Sequence, residues 1–100
     1  MDGHYLAWGM NVSTRVIKSI AYIYLEDRNE LMSLNETGSE VWSLINGRRT
    51  TIEIADIVAD SYKADQEEVS HFVTNFLQEL FEKGVLTMST EPFEGVMAYG

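Results

Sequence analysis

The strongest constraint in this chain is a helical repeat near its C-terminal end. Val69, Phe72, Val73, Phe76, Leu77, Leu80 and Phe81 follow one another at i, i+3, i+4, i+7, i+8, i+11 and i+12, the spacing of a wide apolar face on an α-helix. Asp65, three residues before Glu68, supplies an N-cap, and Lys83 followed by Gly84 supplies the stop. A helix with seven apolar positions on one side must bury that side against other elements, so the rest of the chain has to provide them.

Two shorter helices precede it. Asn35 caps a helix from Glu36 to Asn46 in which Val41, Trp42 and Ile45 share a face, with Gly47 in place as a left-handed terminator. Thr50 and Glu53 form a capping box that opens a helix ending near Asp60, with Ile54, Ile57 and Val58 as its apolar side. Upstream of Asn35 the apolar period changes. Thr14 to Leu25 is rich in β-branched and aromatic residues and reads as one strand. The polar cluster Glu26-Asp27-Arg28-Asn29 reads as a turn, and Glu30 to Leu34 as the returning strand of an antiparallel hairpin. Tyr5 to Val12 adds a further strand weakened by Gly9, while Val85, Leu86 and Met88 either pack beneath the sheet or form a short strand. Residues 1–89 are expected to form the domain and residues 90–100, which hold the only proline, a loose or docking tail.

The chemistry is sparse. With no cysteine there is no disulfide, thiolate metal site or cysteine nucleophile. His4 lies near the N-terminus, and His71 has only neighbouring carboxylates, short of a three-ligand zinc set. The glycines at 38, 47, 84, 95 and 100 make neither a dinucleotide fingerprint nor a phosphate loop and read as turns and caps. No catalytic residue, metal site or cofactor is expected, so the chain reads as a non-enzyme. A net charge of −9, from 7 Lys+Arg against 16 Asp+Glu, repels nucleic acid and attracts basic partners. No apolar run approaches the length needed to span a bilayer, and no signal peptide is visible, so a cytoplasmic location away from membranes is expected.

What a core does not use up is the edge of the hairpin. Leu31, Met32 and Leu34 fall close to a sheet edge near the third helix. Such an edge either accepts an extended peptide, with backbone pairing for affinity and pockets between strand and helix for specificity, or is short or covered by the N-terminal strand or the tail.

Several segments carry a resemblance. Leu34-Asn35-Glu36-Thr37-Gly38-Ser39-Glu40-Val41-Trp42 is followed by Asn46-Gly47-Arg48-Arg49-Thr50 leading into Ile54-Ala55. Val73 to Leu77, Leu80 and Lys83-Gly84-Val85-Leu86 complete the series. In this order and spacing they resemble the PqqD family of pyrroloquinoline quinone synthesis chaperones, also described as the RiPP recognition element, over about half the chain. The resemblance implies an α+β, winged-helix-like domain, a three-stranded antiparallel sheet with three helices and no catalysis of its own. It also implies that the leader of a ribosomally made precursor adds as a strand to Glu30, Leu31, Met32, Ser33 and Leu34. The groove wall is then expected from Val69, Phe72, Val73 and Phe76 of the third helix. The implied partners are the precursor's leader peptide and a modifying enzyme, such as a leader peptidase in lasso-peptide pathways or a radical S-adenosylmethionine enzyme in quinone synthesis. The acidic charge suits a basic leader, which favours a lasso-type pathway.

Two other classes compete. A winged-helix DNA-binding regulator needs a basic recognition helix, whereas the third helix carries Glu67, Glu68, Glu79 and Glu82 against Lys83 alone. A structural subunit whose open edge pairs with itself would be a homodimer with no peptide client.

Overall fold

A computed structural model describes residues 3–93. The chain runs β1 (Tyr5–Trp8), β2 (Val12–Ile17), β3 (Ile20–Leu25), β4 (Glu30–Ser33), α1 (Glu36–Leu44), α2 (Thr51–Tyr62), α3 (Gln66–Glu82) and β5 (Leu86–Ser89). Strands β2, β3 and β4 form a three-stranded antiparallel sheet in that order, and β1 pairs antiparallel with β5 in a separate two-stranded ribbon. The architecture is α+β, three helices with a three-stranded antiparallel sheet, as the sequence suggested.

The helix boundaries follow the cap chemistry. Asn35 Oδ1 accepts the Gly38 N–H at 2.8 Å and opens α1. Thr50 and Glu53 complete a reciprocal box: Thr50 Oγ1 accepts from the Glu53 N–H at 3.2 Å and Glu53 Oε1 from the Thr50 N–H at 2.8 Å. Asp65 caps α3. At the far end of α3, Gly84 N–H bonds the Phe81 carbonyl and Val85 N–H the Leu80 carbonyl, a Schellman closure made possible by the left-handed φ of 79° at Gly84.

Three expectations change. Thr14 to Leu25 is two strands rather than one, because Lys18 and Ser19 adopt φ of 51° and 70° and turn the chain between paired Ile17 and Ile20. Two consecutive positive φ angles suit a primed hairpin turn, for which Lys-Ser is a poor sequence signal beside Asn-Gly. Tyr5 to Val12 splits likewise: Tyr5–Trp8 leaves for β5, and Val12 begins β2. Gly47 is left-handed, with φ of 83°, but α1 stops at Leu44 with an extended Ile45. The Gly47 N–H instead bonds the Leu6 carbonyl at 2.7 Å and anchors β1.

The core lies between the inner face of the three-stranded sheet and the helices. Ala21, Ile23 and Leu25 alternate inward from β3 to meet Val41, Trp42 and Ile45 of α1 and its end, Ile54 and Val58 of α2, and Val73, Leu77 and Leu80 of α3. Burying each large aliphatic contributes about 1.5–3 kcal/mol. Trp42 is fully buried and stacked on Trp8, with ring centroids 5.1 Å apart. Its Nε1–H donates to Thr14 Oγ1, and Trp8 Nε1–H donates to the Trp42 carbonyl. Ser39, also buried, splices the sheet to α1: its hydroxyl accepts the Ala21 N–H at 2.7 Å and donates to the Leu34 carbonyl at 3.2 Å. Beyond β5, Phe93 N–H bonds the Gly47 carbonyl and Arg48 Nη1 donates to the Phe93 carbonyl, so the first part of the expected tail is held. Residues 94–100 of that tail, with Val96, Met97 and Tyr99, lie outside the described residues. Among the described residues no helix is long and apolar enough to cross a membrane.

Candidate functional site

Among the described residues strand β4 pairs with β3 on one side only, in the register Tyr22 with Ser33, Ile23 with Met32, Tyr24 with Leu31 and Leu25 with Glu30. Leu34 N–H bonds the Ala21 carbonyl at 3.0 Å, which continues this register and fixes its phase. In an antiparallel ladder such pairs alternate, so Leu34, Met32 and Glu30 turn their backbone groups toward β3. Leu31 and Ser33 present theirs to the open side. Among the described residues the unpaired edge is therefore the N–H and C=O of two residues, Leu31 and Ser33.

Side chains alternate the other way. Met32 points inward beside Ile23 and is partly buried against the core, while Leu31 stands on the outer face beside Tyr24 and is 66% exposed. Glu30 and Ser33 are exposed.

Helix α3 meets the segments on either side of this strand. Phe76 lies against the first turn of α1, immediately after β4: a Cβ on Gly38 would come within 3.1 Å of Phe76 Cζ. Phe72, one turn away and 42% exposed, stacks on Phe76 with centroids 5.9 Å apart and planes 6° from parallel. At the other end, Arg28, in the turn before β4, donates to the Lys83 carbonyl at the α3 C-cap and lies 3.9 Å from Glu30. β4 and α3 thus run antiparallel: Phe76 meets the helix that follows β4, Lys83 meets the turn that precedes it, and Met32 is partly buried on the inner side.

Not every residue expected at this site reaches it. Val73 is completely buried and faces the core, whereas Phe72, the residue before it on α3, is 42% exposed. Leu34 is 9% exposed and its N–H is already bonded to β3, so it offers neither a side chain nor a donor. Val69 is partly buried on the margin. Glu30, Leu31, Met32 and Ser33 share the open strand, while Phe76, with Phe72 stacked on it, packs on the first turn of α1 that follows the strand. Gly38, read from sequence as a turn or cap glycine, belongs with them: it sits inside α1, where glycine costs about 1 kcal/mol against alanine, and that cost is the signal of a close approach. Among the described residues no group of His, Asp or Glu is arranged to hold a metal.

The family model for coenzyme PQQ synthesis protein D (PqqD) matches residues 22–86, from the middle of β3 to the first residue of β5. The chain belongs to the PqqD family. A PqqA binding protein of Rhodopseudomonas palustris (strain TIE-1) is 34% identical over 61 residues, 61% of this chain and 60% of that protein, so the match spans well under two thirds of that relative. Among solved structures, TbiB1 in complex with the TbiA(β) leader peptide matches 80% of this chain and 93% of its own at 24% identity and a TM-score of 0.75. A lasso peptide synthetase B1 complexed with the leader peptide matches 82% and 96% at 14% identity and a TM-score of 0.71. The PqqD truncation of Methylobacterium extorquens PqqCD, a stand-alone RiPP recognition element solved by NMR, matches 82% and 87% at 23% identity and a TM-score of 0.67. At these identities the structures establish a shared fold. Within the PqqD family match lie β4, α1, α2 and α3, all the elements that build the open edge.

Proposed function

We propose that this protein is a non-catalytic peptide chaperone, in which residues 1–89 bind the leader of a ribosomally synthesised precursor in the cytoplasm and present it to a modifying enzyme. The observation that carries the reading is the open backbone of Leu31 and Ser33 on a strand whose flanking segments both meet α3, Gly38 at Phe76 and Arg28 at Lys83. An extended leader pairs with β4 antiparallel, satisfying the two free donors and two free acceptors, and lays its inward side chains between Met32 and the aromatic stack. Two structural relatives are held in complexes with leader peptides, which supports the same ligand class here.

The net charge of −9 favours a basic leader and fast association at low salt. That charge supports a lasso-type or similar peptide pathway, with a leader peptidase as the enzyme partner. Quinone cofactor synthesis, with a radical S-adenosylmethionine enzyme, is the second reading, favoured by the likeness to a PqqA binding protein.

The test is calorimetric titration with synthetic leaders of neighbouring precursor genes, followed by amide shift mapping. Saturable binding with the largest shifts at Leu31 and Ser33, lost in Leu31→Asp and Met32→Asp variants that keep the native spectrum, supports the reading. Undiminished binding by both variants removes the site. Concentration-dependent self-association without peptide binding indicates an edge that pairs only with itself.

A further inference from the structure

A bound strand at β4 has two faces, and the fold presents apolar surface to both. On the inner side Met32 and Phe76 pack against the core, and Phe72 stacks on Phe76. On the outer side, Tyr22 and Tyr24 project from β3 and Leu31 from β4, at 36%, 38% and 66% exposure, in a sheet face that no helix covers among the described residues. Leu31 and Tyr24 are direct cross-strand partners, and by the phase of the ladder they form a pair without mutual backbone bonds, the kind whose side chains stand closest. The Tyr24 hydroxyl is held by Asn29 in the turn, which fixes one edge of this outer patch.

The geometry points to a two-sided subsite: the edge selects a segment with two adjacent apolar residues, the first packing inward and the second packing outward on Leu31 and Tyr24. The inference rests on the proposed strand addition and specifies its ligand. In an antiparallel added strand, the residue facing Ser33 comes first, then the residue facing Met32, then the residue facing Leu31. The second of these shares the inner side with Met32 and enters the groove toward Phe76. The third shares the outer side with Leu31 and extends the Tyr24–Leu31 row by one strand. The following residue returns to the inner side but faces Glu30, which is exposed and lies 3.9 Å from Arg28, so an apolar side chain gains little there. A one-sided groove would instead select apolar residues at alternate positions, the usual pattern of a half-buried strand. Here the preferred pattern is a neighbouring pair.

The experiment selects a displayed library of short random peptides in parallel on the wild-type full chain and on Leu31→Ser, an exposed substitution that keeps every backbone group of β4. Wild-type selection is expected to enrich adjacent apolar pairs whose carriers shift the amides of Leu31 and Ser33. On Leu31→Ser the outward preference fades while the inward one persists, and a wild-type-selected peptide loses about fivefold in affinity, the scale of one cross-strand pair. Enrichment of alternating apolar residues, or of pairs indifferent to Leu31→Ser, overturns the two-sided subsite and leaves strand addition intact. A selection that yields no peptide shifting Leu31 and Ser33 overturns strand addition and this inference with it.

Discussion

The ring of Phe76 rests on the backbone of Gly38, so closely that a single methyl group at that glycine would lie 3.1 Å from Phe76 Cζ and 3.1 Å from the capping Asn35 Oδ1. One contact therefore sets both how α1 begins and where the Phe76 ring stands. In Gly38→Ala the helix gains up to about 1 kcal/mol of propensity, but crowding against Phe76 and the cap costs about 1–3 kcal/mol. The expected net is a loss of about 1 kcal/mol with displaced Phe72 and Phe76 ring signals, read by urea unfolding and aromatic NMR. Unmoved ring signals would contradict the contact.

Ser39 holds the last rung of the hairpin. Because its buried hydroxyl serves both the Ala21 N–H and the Leu34 carbonyl, Ser39→Ala leaves a buried donor and acceptor without their partner and should cost about 1–3 kcal/mol. The Ala21 amide should lose protection from hydrogen exchange more than the amides of α3. Uniform loss across the domain would place the effect elsewhere.

Phe72 is exposed enough to be dispensable for folding. Phe72→Ala is expected to leave the unfolding midpoint within experimental scatter while weakening a bound leader about tenfold, the equivalent of about 1.4 kcal/mol of lost apolar contact. Val73→Ala should do the reverse, destabilising the fold by about 0.5–3 kcal/mol because the side chain is fully buried, with little direct effect on affinity. Calorimetry beside thermal unfolding separates the two residues. Equal behaviour of the pair would show that the assigned helix rotation is wrong.

Thr14 partners a tryptophan rather than solvent. Thr14→Val keeps the shape but strands the Trp42 Nε1–H in the core, so a cost of about 1–3 kcal/mol is expected. Fluorescence reports it directly, since Trp8 and Trp42 are the only two tryptophans and are stacked together. An unchanged emission maximum with unchanged stability would show that the hydrogen bond contributes nothing.

The parts of this fold that sequence reveals are those where one residue type has one physical job. Asn35, the Thr50–Glu53 box, Asp65 and Gly84 each satisfy helix-end groups in the way their side chains or lack of one allow, so three helices could be placed from the letters alone. The turn at Lys18-Ser19 could not, since neither residue favours a positive φ and only the pairing of β2 with β3 holds them there. The separate ribbon of β1 and β5 depends on contacts between chain ends, which no local pattern encodes. At the candidate site, the strand was legible from its apolar residues beside a turn. The division of α3 into Phe72 and Phe76 on one side and Val73 on the other was not, because an apolar stripe this wide fixes the buried sector but not its edges.

The pairing of β1 with β5 has a consequence for how this domain can be wired to others. Tyr5 lies opposite Ser89, and Phe93 is held at Gly47, beyond the C-terminal end of α1. β4 instead runs into the N-terminal end of that helix, nine residues or about 13 Å away. A covalent tether joined before Tyr5 or after Phe93 would therefore depart from one shared anchorage, away from the junction of β4 with α1. A partner tethered at that anchorage would reach the domain from the end of α1 opposite to the receptive strand.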